Sequence, residues 1–207
     1  MRKLGLLAAT LAITTAVAGC GSATHHTASP TTVPPDPGRV PAQVVWKSWE
    51  GVQLPYSIVD GPATISGAAA GYSHTPQGAV LAAIQDSLRT SLSPDSLWSQ
   101  VAAQSLVTGP GKDAFVLARA QFSITGPADP RIAPAVAGYH FTTYTPGRAE
   151  IALYTRFPDK SLAAYHHLMT WTGGDWRLVL PDPGAKNPVM ESIPALPSGT
   201  VRFEATR

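Results

Sequence analysis

Large apolar residues are almost absent between Gly21 and Ala42 (GSATHHTASPTTVPPDPGRVPA), and on either side of that gap they return in regular patterns. Ahead of it, Leu4 to Ala18 is a short, predominantly apolar run behind Arg2 and Lys3. After it, Val44, Trp46 and Ser48 alternate with Val45, Lys47 and Trp49, the period-two pattern of a short strand that Gly51 and Pro55 are expected to break. Trp46 and Trp49 fall on opposite faces of that strand, so one is expected in the core and the other as edge cover; a carbohydrate-stacking platform is the rival use. From Thr75 the period lengthens. Val80, Leu81, Ile84 and Leu88 form an apolar stripe among small alanines, which predicts a helix capped by Thr75, opened by Pro76 and running to Leu92. Ser93-Pro94-Asp95 opens a second helix with Leu97, Trp98, Val101 and Leu106, ending before Gly109-Pro110-Gly111, and a third is expected over Asp113 to Gln121. Beyond them the period returns to two. Tyr139 to Thr145, Arg148 to Phe157, Ser161 to Thr172 and Asp175 to Leu180 are strand-like, separated by the turn signals Pro146-Gly147, Pro158-Asp159 and Gly173-Gly174.

Helices followed by an antiparallel meander give an α+β fold, with the N-terminal helices packed on the sheet. The division expected is 1–19 as a signal peptide, 20–43 as a disordered tether, 44–184 as a single α+β domain and 185–207 as a Pro-containing tail serving as an edge strand or loose cover. Gly78 is out of place in the first turn of a helix, where glycine costs up to about 1 kcal/mol relative to alanine. It reads as a contact glycine that lets the start of the helix approach the sheet or an adjoining loop. A phosphate cradle would require a following Lys-Ser/Thr, and Ala79-Val80 stands there instead.

The apolar run at the N-terminus is too short to span a bilayer as a helix, and with Arg2 and Lys3 ahead of it reads as a secretory signal. It closes on Val17-Ala18-Gly19-Cys20, which matches the bacterial lipobox, so Cys20 is expected to become the mature N-terminus and to carry a covalent diacylglycerol lipid. That places the protein at the outer face of the cytoplasmic membrane, held by its lipid through a semi-rigid Ser/Thr/Pro-rich tether. Cys20 is the only cysteine, so no disulfide framework is available and the core must suffice. The formal charge is +2, part of it from the signal itself, and no clustered Lys and Arg suggest a nucleic-acid partner. His25 and His26 lie in the tether and read as solvated.

Three segments carry a resemblance: GVQLPYSIVDGPATISGAAAGYSHTPQGAVLAAI, FTTYTPGRAEIALYTR and LMTWTGGDWRLVLPDPG. Together they resemble a family of secreted and membrane-anchored actinobacterial proteins, often linked to conjugative elements. The order of elements is also similar to the cystatin-like, nuclear transport factor 2-like fold, which implies a curved sheet. The resemblance implies an accessory or scaffold role in a conjugation- or secretion-associated membrane assembly, with membrane-embedded proteins as partners.

A catalytic constellation is not expected. Glu150, Tyr154 and Arg156 share one strand and read as a solvated or partner-facing side. His166 and His167 are neighbours on a strand and point to opposite faces, so they cannot ligate one metal together; one is expected to make a local hydrogen bond and the other to meet solvent. Trp171 and Trp176 flank a tight hairpin and read as packing. No G-x-S-x-G elbow or HExxH is present. The reading is therefore non-catalytic, with no metal or cofactor beyond the lipid. The alternative is a binding protein for a small apolar ligand or cell-wall fragment in the concave face of the sheet, which a pocket lined by Tyr165, Met169 or Trp171 would favour. An acid/base enzyme would instead need Glu150 or another carboxylate buried beside a donor.

Overall fold

The structure is a computed structural model that describes residues 35–186 and 188–205. The signal peptide, Cys20, His25, His26 and most of the predicted tether lie outside the described residues. In chain order the elements are β1 (Val44–Trp49), β2 (Val52–Ser57), β3 (Thr64–Ser66), β4 (Ala68–Ala70), α1 (Pro76–Leu92), α2 (Trp98–Ser105), α3 (Pro110–Arg119), β5 (Ala135–Thr145), β6 (Arg148–Arg156), β7 (Leu162–Thr172), β8 (Asp175–Val179), β9 (Met190–Ile193) and β10 (Val201–Arg202). Among the described residues the fold is α+β, three helices and a mostly antiparallel sheet, as expected.

The main sheet has the order β10-β5-β6-β7-β8, with β9 also paired to β7, and every pairing is antiparallel. The inward phase of β6 places Ile151, Leu153 and Thr155 under α1, and β8 adds Trp176 and Leu178. The other side of α1 is also covered, by β2, β4 and α2. That is why α1 is buried nearly all round instead of along one stripe, with Val80, Leu81 and Ile84 wholly inaccessible and Gln77, Gln85, Asp86 and Arg89 enclosed as well.

Enclosed polar side chains need partners, and the covering hairpins supply most of them. Gln85 Nε2 donates to the Pro55 carbonyl at 2.8 Å. Arg89 Nε donates to Gln85 Oε1 at 2.9 Å, while its two terminal nitrogens reach the Gly67 carbonyl and the Tyr56 hydroxyl. The guanidinium also lies 4.6 Å from the Trp49 ring centroid. Gln77 Nε2 donates to the carbonyls of Asp36 and Arg39, and the Tyr139 hydroxyl donates to the Arg39 carbonyl as well. The folded body therefore already includes Asp36, several residues before the boundary expected at Val44.

α1 begins as the sequence predicts: the Thr75 side chain accepts from Gly78 N, and Pro76 opens the helix. A Cβ on Gly78 would collide with the Ser73 carbonyl and stand 2.8 Å from Ser73 Oγ, so Gly78 is a contact glycine toward the adjoining loop. Several boundaries differ. Pro55 does not break a strand but lies inside β2, opposite Trp46; β2 pairs only with β1, and an edge strand tolerates a missing N–H. α2 starts at Trp98, because Asp95 is engaged by Arg119 and Ile124 N instead of capping a helix. α3 starts earlier, at Pro110, where proline fits the first turn. Both Trp46 and Trp49 are half-buried against the core, Trp46 beside Phe203 and Trp49 under Arg89. The pair is not split into one core and one edge residue.

The tail is built into the sheet. β9 pairs with the first part of β7, and β10 pairs with β5 at the opposite edge. Between them Ile193 and Leu196 pack on Ala152, Tyr154 and Ala164, the outward phase of β6 and β7. Gly138, at a bulge in β5, leaves room for β10: a Cβ there would stand 2.6 Å from the Val201 carbonyl.

Candidate functional site

The register of β7 creates a gap. On the edge away from β6, β8 pairs with Leu168–Thr172 and β9 pairs with Leu162–Tyr165, which leaves His166 and His167 between the two partners. The chain bridging them, Leu180 to Val189, runs past this point, and the His166 N–H donates to the Val189 carbonyl at 2.9 Å. Beneath the gap lies a cavity of about 250 Å³. Its floor is Leu153, Thr155 and Tyr165 of the sheet, its roof is the last turns of α1, and Leu178, Leu180 and Pro181 close one side.

Among the described residues no Asp, Glu, Lys or Arg lines this cavity, yet its wall is not purely aliphatic. Thr90, Thr155 and His167 are among the lining residues, and each is at least nine-tenths buried. Thr90 Oγ1, Thr155 Oγ1 and His167 Nε2 have no hydrogen-bond partner. A buried polar atom left unpaired costs about 1–3 kcal/mol, and these three are enclosed by protein atoms, not presented to the cavity's open space. Burial, helped by the neighbouring His166, lowers the His167 pKa to about 4, so the imidazole is neutral at physiological pH.

The histidines do point to opposite faces, but their roles differ from expectation. His166 is the half-exposed one and also makes the hydrogen bond, to Glu191 Oε1 at 3.1 Å. His167 is the enclosed one and is unpaired. Of the three residues expected to line a pocket, Tyr165 does. Met169 is instead in the core, and Trp171 stacks on His74 at 3.9 Å while meeting Trp176 edge-on at 5.5 Å across the Gly173-Gly174 turn. Thr90 and Thr155 were not singled out. For Thr155 the signal is a hydroxyl where the Ile151-Leu153-Thr155 alternation predicts an apolar side chain, whereas Thr90 lies off the apolar stripe of α1 and carries no such signal.

Glu150, Tyr154 and Arg156 do not form a unit. Glu150 pairs with Arg148 at 2.9 Å on the surface, Tyr154 is covered by the tail, and Arg156 lies 3.7 Å from Glu204 beside a broad open hollow between β1 and the 130–136 loop. Two carboxylates are buried: Asp60, which accepts from Ala42 N and Ser73 Oγ, and Asp86, one turn before Thr90 on α1. Burial pushes the Asp86 pKa well above the ordinary value. Neither carboxylate oxygen has a hydrogen-bond partner, and Asp86 is not among the residues lining the cavity. Among the described residues, no group of three His, Cys, Asp or Glu stands together as a metal site, and no helix is long and apolar enough to cross a membrane.

An α+β domain with an apolar, uncharged cavity between its central helix and its sheet is the class that fold and site define. The chain belongs to the family described as Domain of unknown function (DUF8175), whose pattern matches residues 8–201. No curated protein and no solved structure was found to match it. The match takes in Cys20, β9 and the first residue of β10.

Proposed function

We propose that the protein is a lipid-anchored extracytoplasmic binding domain that holds a small, largely apolar molecule between α1 and the sheet. The observation that carries this reading is the cavity: about 250 Å³, lined largely by Leu, Val and Pro side chains with a few polar residues, Thr90, Thr155 and His167 among them. Pockets that bind small molecules combine an apolar lining with a few placed polar groups in this way. The volume is near the lower end of ligand sites and corresponds to roughly eight non-hydrogen atoms at water's liquid share of space. The lipobox at Cys20 and the segment after it support attachment to the outer face of the cytoplasmic membrane, where apolar small molecules partition.

The accessory role in a conjugation- or secretion-associated assembly rests on the resemblance and on Cys20, whereas the cavity is a feature of the fold, so binding is placed first. Native mass spectrometry of the full-length chain purified from membranes tests it directly. The expected outcome is a small molecule bound one to one and a raised melting temperature when the emptied protein is given six- to ten-carbon amphiphiles. A protein that carries nothing and responds to none of them would remove this reading.

A further inference from the structure

We propose that the open edge of β1 takes an extended peptide segment of another protein as an added strand, with an acidic residue of that segment set opposite Lys47. This surface is separate from the cavity beneath α1 and goes beyond the binding reading above.

The phase of the β1–β2 hairpin decides which backbone groups of β1 are open. Glu50 and Gly51 both have positive φ, 45° and 82°, and form the two-residue turn between the paired Trp49 and Val52. Such a turn closes on a hydrogen-bonded pair, so with no shift of register the bonded pairs are Trp49–Val52, Lys47–Leu54 and Val45–Tyr56. Pro55 supports this phase independently: it has no N–H, its carbonyl accepts from Gln85 Nε2, and it stands opposite Trp46. The N–H and C=O groups of Val44, Trp46 and Ser48 therefore point away from β2, in a row about 13 Å long. Among the described residues none of them has a backbone partner.

The two edges of the hairpin are finished differently. On β2 the Pro55 carbonyl is taken by Gln85, and the Ser57 N–H and C=O are taken by Gly61. Among the described residues β1 has no such cover, and none of its residues is fully enclosed. Val44, Val45 and Trp46, successive residues that alternate in face, all line the broad hollow toward the 130–136 loop. The hollow thus runs along the edge of the strand, and an added strand needs only about 5 Å beside it.

A row of alternating donors and acceptors is matched by another extended backbone, which makes the occupant a polypeptide. Lys47 selects which. It is exposed, belongs to none of the ion pairs among the described residues, and holds its ammonium 5.1 Å from the Tyr56 ring centroid. On the open edge Lys47 enters a non-hydrogen-bonded pair, in which facing side chains stand closest, so an acidic residue opposite it is favoured and a basic one is opposed. Two copies of β1 paired in full register about Trp46 would instead set each Lys47 against Val45 of the other copy, without a countercharge. A lysine in the middle of an open edge guards it against such self-pairing.

The test uses the full-length protein and two peptides, Thr-Val-Thr-Glu-Thr-Val-Thr and the same sequence with lysine for glutamate, with titration calorimetry and amide hydrogen exchange by NMR as readouts. The glutamate peptide should bind about fivefold tighter than the lysine peptide. It should slow exchange at Val44, Trp46 and Ser48 and leave Val45 and Lys47, already bonded to β2, unchanged. Lys47→Glu should reverse the preference. Ser48→Pro removes one open-edge donor without touching the β1–β2 ladder and should lower the affinity about tenfold, whereas Ser48→Ala, which keeps the N–H, should change it by less than about twofold. Urea midpoints report whether both variants are folded. No binding of either peptide to the folded wild type, or binding that leaves the Val44, Trp46 and Ser48 amides unprotected, overturns the proposal. Equal affinity for the two peptides overturns the acidic match. Self-association of the wild type that Ser48→Pro abolishes would make a second copy the occupant and overturn the choice of another protein. The exchange measurement needs no variant, so it decides even if Ser48→Pro does not fold.

Discussion

His167 and Asp86 sit at opposite signs of the same physics. Burial disfavours the charged form of both, which lowers a base and raises an acid. A free imidazole titrates near 6.5 and His167 near 4, so between those values the unfolded chain takes up a proton that the folded chain refuses. Stability is full above pH 6.5 and declines as the pH falls toward 4, by about 3 kcal/mol if the whole difference is expressed. His167→Phe should abolish that decline, and in the ligand-free protein it should raise stability at pH 7 by about 1 kcal/mol, since an unpaired nitrogen is removed from beside a cavity that can accept the ring. Urea midpoints measured across pH 4 to 7 check both parts. Asp86 acts the other way. Its carboxyl keeps its proton in the fold beyond the ordinary value of 3.8, so its contribution to stability is present at low pH and is lost as the pH rises through that window. Asp86→Asn should therefore be more stable than wild type at pH 7, with the gain shrinking to nothing near pH 4; a gain that persists unchanged at pH 4 would show that Asp86 is ionised in the fold.

At the level of elements, α1 shows where a local rule loses to packing. Helix propensity alone favours Gly78→Ala by up to about 1 kcal/mol. The new methyl would strike the Ser73 carbonyl, and that loop cannot easily yield, because Ser73 Oγ is bonded to Asp60 Oδ1 and shares a 2.7 Å contact with Thr75 Oγ1. Overpacking of this kind typically costs about 1–3 kcal/mol. Gly78→Ala should thus destabilise, by about 1–2 kcal/mol after the propensity gain, and a lowered urea midpoint with unchanged slope is the outcome to look for. The start of α1 was legible in the sequence because Thr75-Pro76 are local signals with local partners. β2 was not, since Pro55 obeys the breaker rule everywhere except on an edge strand, and edge status is decided by the fold. The delayed start of α2 depends on Asp95 being held by Arg119, a residue 24 positions away. The same division runs through the cavity. The inward phase of Thr155 and the opposed faces of His166 and His167 can be read from strand alternation, whereas Thr90 above them, and the absence of partners for Thr90, Thr155 and His167, arise only when α1 is laid across the sheet.

For the whole molecule the decisive segment is the tail, for which the sequence leaves both an edge strand and loose cover open because β9 and β10 are short and separated by Pro194 and Pro197. Together they pair with β7 and β5, and between them Ile193 and Leu196 cover the outer face of the sheet, where Ala152, Tyr154 and Ala164 would otherwise be wet. A chain ending at Gly184 would lose both strands and Val189 at the cavity. It would also expose the free edge of β5 and half the edge of β7, open hydrogen-bonding rows that invite pairing with another chain. We expect the truncated protein to be several kcal/mol less stable, as fits the loss of a buried apolar cluster and two strand pairings. It should also self-associate in a concentration-dependent manner. Leu196→Ser separates the two effects, because it weakens the cover and keeps the strands: stability should fall by about 1–3 kcal/mol while the protein stays monomeric. Sedimentation velocity with urea unfolding on both variants decides the matter. A truncated chain that remained monomeric and as stable as wild type would mean that the sheet is complete without its tail. In that case the gap in the β7 edge, and the cavity beneath it, would be shaped by β8 and α1 alone.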